Sequence, residues 1–120
     1  MQAYRHIDPA VLFKAACHDL EMFRALSQTY LDTAPAMYAS VEKAVHSGTA
    51  QAIVHSCHTL RGTVVLLGAH ALTARLAELE YLVRHQGVAA AGWLAETAAL
   101  VGAVEQEVRR SMCEYTGAQA

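Results

Sequence analysis

Ile53, Cys57, Leu60, Val64 and Leu67 recur along the chain at steps of four, three, four and three. After Gly68 the same rhythm resumes at Leu72, Leu76, Leu79 and Val83. A strand would place alternate residues on one face, whereas a four-three step keeps the apolar side chains on one stripe of a helix. Two such stripes, separated by a glycine, are the seams of adjacent helices in a bundle. Neither helix can bury its stripe alone, so the rest of the chain must supply partners.

The remaining sequence provides them. The chain has 120 residues, 54% of them hydrophobic, enough for one domain with a real core. A chain of this size buries roughly two thirds of its unfolded surface. Asp8-Pro9 is a helix start, since Asp caps and proline at the first position gives up only a hydrogen that would be unpaired anyway. The short helix it opens is expected to end near Cys17. Asp19 caps a longer one carrying Leu20, Phe23, Tyr30, Ala34, Met37, Val41 and Val45, with Pro35 expected to kink or split it. Ser47-Gly48 ends that helix and Thr49 is placed to cap the third. Gly68 ends or bends the third, and Gln86-Gly87 closes the fourth. A last helix is expected from about Val88 to Tyr115, with Leu94, Ala98, Val101, Val108, Met112 and Tyr115 inward. Short connections favour antiparallel neighbours. The expectation is an all-α fold: an antiparallel up-down four-helix bundle with a short additional N-terminal helix. It forms a single domain over residues 1–120, frayed over the first ~7 and last ~5 residues.

Several function classes recede on composition. Net charge is −2 and no Lys/Arg-rich run occurs, so nucleic acid is not an expected partner. The three cysteines, Cys17, Cys57 and Cys113, are odd in number and form no C-x-x-C pair, which fits a reducing cytoplasm better than a disulfide framework. Residues 1–8 carry no apolar leader. The most membrane-like window, Gly87 to Val104, is interrupted by Glu96 and suits a core helix, so no membrane insertion is expected. Tyr30, Tyr38 and Trp93 fit core or rim positions. His6, His18, His46, His70 and His85 have no partner pattern.

The third helix has an unusual outer face. At about 3.6 residues per turn, His58 lies well off the core stripe and Gly62 falls one turn further along that outer side. Val65 lies toward His58 and Leu66 toward the other side, with His55 just before. Glycine inside a helix costs roughly 1 kcal/mol relative to alanine, so Gly62 needs a reason. A bare position beside a histidine and two outward aliphatic residues reads as a docking surface, to which Thr59 also belongs. Arg61 is a helical neighbour of His58, and its guanidinium suits an anion carried there. His55 and His58 are two potential metal ligands on one face, but zinc wants three or four, so no metal site is expected. No nucleotide-binding loop occurs, and no carboxylates flank His58 on its own helix. If His58 carries a phosphoryl group, a partner must supply the acids and the metal.

The run His58-Thr59-Leu60-Arg61-Gly62, with Gly68-Ala69 behind it and Leu79-Glu80 on the next helix, resembles a histidine-containing phosphotransfer (HPt) domain. That family's pattern is H-x-L-K-G, then a small residue, G-A, and later L-E. The resemblance implies a phosphorelay intermediate of two-component signalling. In it His58 accepts a phosphoryl group from a receiver-domain aspartate and passes it to another receiver. Arg61 stands at the family's lysine and Gly62 at its glycine, while Thr63 replaces a common serine. Glu80 matches a position that can hold the histidine Nδ1–H and leave Nε2 free, and Arg84 one that often carries a second cation. The resemblance further implies a phosphocarrier without catalytic machinery of its own, binding no cofactor, with Mg²⁺ coming from the receivers of response regulators or hybrid kinases. A free-standing, cytoplasmic monomer is expected. The alternative is a bundle of the same fold that binds a receiver or other signalling protein as an adaptor and is never phosphorylated.

Overall fold

A computed structural model describes residues 4–86 and 92–116. It contains α1 (Pro9–Ala15), α2 (Leu20–Ser47), α3 (Ala50–Val64), a 3-10 turn (Val65–Leu67), α4 (His70–Gln86) and α5 (Trp93–Glu114). No strand occurs among the described residues. Helix α3 packs against α2 and α4, and α5 against α2 and α4, closing a ring of four helices. Helix α1 lies against the 3-10 turn and α2. At 1.5 Å per residue α2 spans about 42 Å, which accounts for the long axis of a molecule measuring 45 × 22 × 20 Å.

The helix ends follow from local chemistry. The Asp8 carboxylate accepts from the Ala10 amide at 3.1 Å, and the Asp19 carboxylate from the Met22 amide at 3.1 Å. Gly48 takes the left-handed conformation, and its N–H donates to the Ala44 and Val45 carbonyls. Thr49 occupies the cap position of α3 without a side-chain hydrogen bond, so that expected cap is made by backbone geometry alone. Pro35 does not split α2. It removes the donor that residue 35 would offer to the preceding turn, but Leu31, Ala34, Tyr38 and Val41 are buried on both sides of it and hold the helix in one piece. Helix α1 ends at Ala15, two residues before the expected Cys17, because Cys17 and His18 both have positive φ.

The two diagnostic stripes are buried as read: Ile53, Cys57, Leu60, Val64 and Leu67 face Leu72, Leu76, Leu79 and Val83 in one core. The phase of α5 differs from the expected one. Ala98 is exposed and Leu94 and Met112 are half-buried, while Trp93, Thr97, Val104 and Ser111 join Val101, Val108 and Tyr115 inside. The small hydroxyls make this possible. Ser111 Oγ donates to the Val108 carbonyl at 2.8 Å, and Thr97 Oγ1 accepts from Arg75 Nε at 3.4 Å, so neither is buried unpaired. As described, α5 runs from Trp93, after Gly92 at φ +82, and the expected start near Val88 and the Gly87 expected to close α4 fall on residues 87–91, outside the described residues.

The segment ahead of α1 was expected to fray, yet residues 4–7 are held to α5. The amides of Arg5, His6 and Ile7 converge on Glu107 Oε1 at 2.9, 2.8 and 3.3 Å. Tyr4 donates to Glu114 Oε1, and the Arg110 guanidinium lies 4.4 Å from the Tyr4 ring centroid. The Asp8 amide then donates to the Leu67 carbonyl at 2.9 Å. This brings Asp8 against Gly68, where an added Cβ would lie 2.6 Å from Asp8 Cβ. Gly68 also has φ +68, so both its backbone conformation and its neighbour require glycine. The expected C-terminal fraying concerns residues 116–120, of which 117–120 lie outside the described residues, and Tyr115 just before them is buried.

Candidate functional site

The four-three stripe turns Cys57 and Leu60 into the core and leaves His58 between them on the outside of α3. Its side chain is 70% exposed. Gly62, one turn on, has open space above it, because a Cβ built there meets nothing within 4 Å. The helix packing therefore does not require this glycine, in contrast to Gly68. Val65 and Leu66, in the 3-10 turn that follows α3, are 49% and 51% exposed. Thr59 is exposed, with its hydroxyl tied to the His55 carbonyl at 3.0 Å.

The charged groups come from two helices. Antiparallel packing of α4 on α3 sets Glu80 beneath His58, where its side chain is 7% exposed. A buried carboxylate needs a partner, and Arg61 supplies it: Nε donates to Oε2 at 2.7 Å and Nη2 approaches Oε1 at 3.4 Å. The same Nη2 lies 3.0 Å from His58 Nδ1. His58 Nδ1 is 3.8 Å from Glu80 Oε1, beyond hydrogen-bond range. The contact on Nδ1 expected of Glu80 is thus made by Arg61, which is long enough to sit between the two. Glu80 turns inward onto Arg61 and makes no i,i+4 ion pair with Arg84. Arg84 is exposed and lines a groove of about 540 Å³ together with His58, His55, Gln51, Val54 and Val83. The structure accordingly brings His58, Arg61 and Glu80 into contact and sets His55 and Arg84 along the adjoining groove. Gly62 lies further along α3, and Val65 and Leu66 in the 3-10 turn that follows it.

Below the site, burial foremost, with the Glu80 charge adding to it and Arg61 opposing, pushes the Cys57 thiol up to about 12. It remains a neutral core side chain at ordinary pH. Among the described residues no group of three or more His, Cys, Asp or Glu side chains is arranged to hold a metal ion. No helix among them is long and apolar enough to cross a membrane. The groove residues Gln51, Val54 and Val83 were not singled out from the sequence. Val83 was visible only as a core position, and the side of the α3–α4 seam that opens into a groove depends on the register between two helices.

A helical bundle in which an exposed histidine has a cation against it, a buried carboxylate behind and a bare glycine beside has the form of a histidine phosphotransfer protein. The chain belongs to the Hpt domain family, whose model matches residues 25–111, from within α2 to within α5. Its fold is similar to the crystal structure of histidine-containing phosphotransfer protein B (HptB) from Pseudomonas aeruginosa PAO1. The TM-score is 0.82 at 22% identity, over 95% of this chain and 100% of that one. Comparison with the curated proteins gives no match. Hpt domains are phosphocarriers, and a histidine phosphotransfer role in phosphorelay signalling follows from membership.

Proposed function

We infer that His58 is the phosphoacceptor of this chain, taking a phosphoryl group from a receiver-domain aspartate and passing it to the aspartate of another receiver. The observation that carries this reading is the exposed His58 ring beside Gly62, where a Cβ would meet nothing among the described residues. A receiver can approach there without a side chain in its way. Val65 and Leu66 would supply apolar contact to it, and His55 and Thr59 the rim of the footprint. Arg61 and Arg84 would steady the phosphoryl oxygens, since guanidinium groups form the stronger, charge-assisted hydrogen bonds. Glu80 would fix the ring and balance the charge of the phosphorylated imidazole.

The chemistry itself belongs to the pair. Magnesium prefers several oxygen ligands, whereas Glu80, the one carboxylate at this site among the described residues, is already engaged by Arg61. The receiver's acids and Mg²⁺ would therefore assist both formation and discharge of the phosphohistidine. This chain acts as a carrier in the cytoplasm, as a monomer, with no bound cofactor.

The test is transfer from phosphorylated receivers. Wild-type protein should acquire phosphate that is acid-labile and base-stable, and His58→Gln should acquire none while keeping its helical spectrum and melting temperature. Label persisting on His58→Gln would remove His58 from the role. A wild-type chain that binds receivers but never becomes labelled would instead make it an adaptor.

A further inference from the structure

The contact between Arg61 and His58 has a consequence for which ring nitrogen carries the proton. A guanidinium has only donors. The 3.0 Å approach of Arg61 Nη2 to His58 Nδ1 therefore uses the Nδ1 lone pair, and a neutral ring must then hold its single proton on Nε2. Nε2 is also the nitrogen left to meet an incoming phosphoryl group, because Nδ1 is covered by Arg61. A protonated Nε2 has no lone pair with which to attack. The resting arrangement is thus the wrong tautomer for transfer. The acceptor that would hold the right one, Glu80 Oε1, stands 3.8 Å from Nδ1 and is approached by the same Nη2 at 3.4 Å.

We propose that Arg61 is a tautomer latch, a positioning residue that keeps His58 unreactive until the guanidinium leaves Nδ1. The proposal rests on His58 being the phosphoacceptor. In the released state Nε2 gives its proton to solvent, Nδ1 takes one up, and Nδ1–H donates to Glu80 Oε1. The Nε2 lone pair then forms the N–P bond while the P–O bond to the receiver's aspartyl carboxylate breaks. The electron pair of that bond departs with the carboxylate oxygen. The ring is left as a phosphorylated imidazolium whose Nδ1–H stays on Glu80. The transferred anion itself draws Arg61 away: a phosphoryl group near Nε2 offers the guanidinium a stronger acceptor than a neutral ring nitrogen. A partner bearing phosphate opens the latch, and one without it leaves the latch closed. The family's lysine at this position, with its single ammonium, cannot span Nδ1 and both Glu80 oxygens in this way.

Nitrogen-15 NMR of the His58 ring reads the tautomer directly, at a pH well above the ordinary imidazole value of about 6.5. Wild type is expected to show Nε2–H with Nδ1 unprotonated. Arg61→Met should shift the ring to predominantly Nδ1–H. Should the uncompensated Glu80 unfold that variant, Arg61→Met combined with Glu80→Gln removes the buried charge and keeps an amide oxygen to accept from Nδ1–H. The same shift is expected there. A wild-type ring already protonated at Nδ1, or Nε2–H persisting in the variants that fold, overturns the latch. The readout needs no receiver. If the ring shifts as expected and yet no receiver phosphorylates the wild-type chain, the phosphoacceptor reading fails while the tautomer assignment stands.

Discussion

Gly62 and Gly68 lie close together in sequence and serve opposite ends. At Gly68 the backbone is left-handed and an added Cβ would lie 2.6 Å from Asp8 Cβ, so the chain itself demands glycine. A Cβ built at Gly62 meets nothing beyond its own helix within 4 Å among the described residues, so packing makes no demand there. The two buried glutamates divide in the same way. Glu107 is satisfied by three amides of the N-terminal segment and ties the fold together. Glu80 is satisfied by a guanidinium that also touches the exposed His58. One region of the molecule spends its polar groups internally, and the other holds them at the surface. On the proposed reading, the first set serves the fold and the second a partner.

The largest expected effect is at the closed region. Gly68→Val places a β-branched side chain in a left-handed conformation and against Asp8. The two penalties together amount to about 2–5 kcal/mol, a fall in melting temperature on the order of 10 °C or more. A thermal melt close to wild type would mean the Asp8 contact is not what fixes this glycine. Glu107→Ala should cost about 1–3 kcal/mol, limited because the freed amides can turn to water. Its specific signature is faster hydrogen exchange at Arg5, His6 and Ile7, and unchanged protection there would break the assignment of Glu107 as their anchor.

The open region should respond less in stability. Gly62→Ala is expected to stabilise by about 0.5–1 kcal/mol through helix propensity alone. A destabilising result in denaturant titration would show a contact at Gly62 that the structure lacks. The smallest effect concerns the cysteines. Cys17 and Cys113 are exposed and should alkylate readily in the native state, while Cys57 should not. Burial holds its thiol protonated up to about 12. The unfolded thiol ionises near 8.5, roughly its ordinary value, so the unfolded state sheds a proton first. The contribution of Cys57 to stability should therefore decline as pH rises from there toward about 12.

The same division explains what could be read from the sequence. The α3 and α4 stripes were legible because their inward residues are large and apolar and their outward face is not. The phase of α5 was not, because Thr97 and Ser111 are buried polar residues, Ser111 paired to the Val108 carbonyl of its own helix and Thr97 to Arg75 of α4, and neither leaves an apolar mark. The N-terminal strap was hidden for a related reason. Backbone amides bind Glu107, and backbone amides have no sequence signature. At the candidate site, helical spacing and the family resemblance single out His58, Arg61, Gly62 and Glu80, and the structure brings His58, Arg61 and Glu80 into one cluster. Their connectivity was not legible, since whether Arg61 or Glu80 reaches Nδ1 depends on the register of α4 against α3.

The central claim is that the surface beside His58 is reserved for a partner. Gly62→Leu tests it when receiver-to-His58 transfer and the melting temperature are measured on the same preparation. The expected result is transfer slowed by at least tenfold, equivalent to about 1.4 kcal/mol, with a melting temperature at or above that of wild type. Transfer at the wild-type rate, or a variant that fails to fold, would contradict the account.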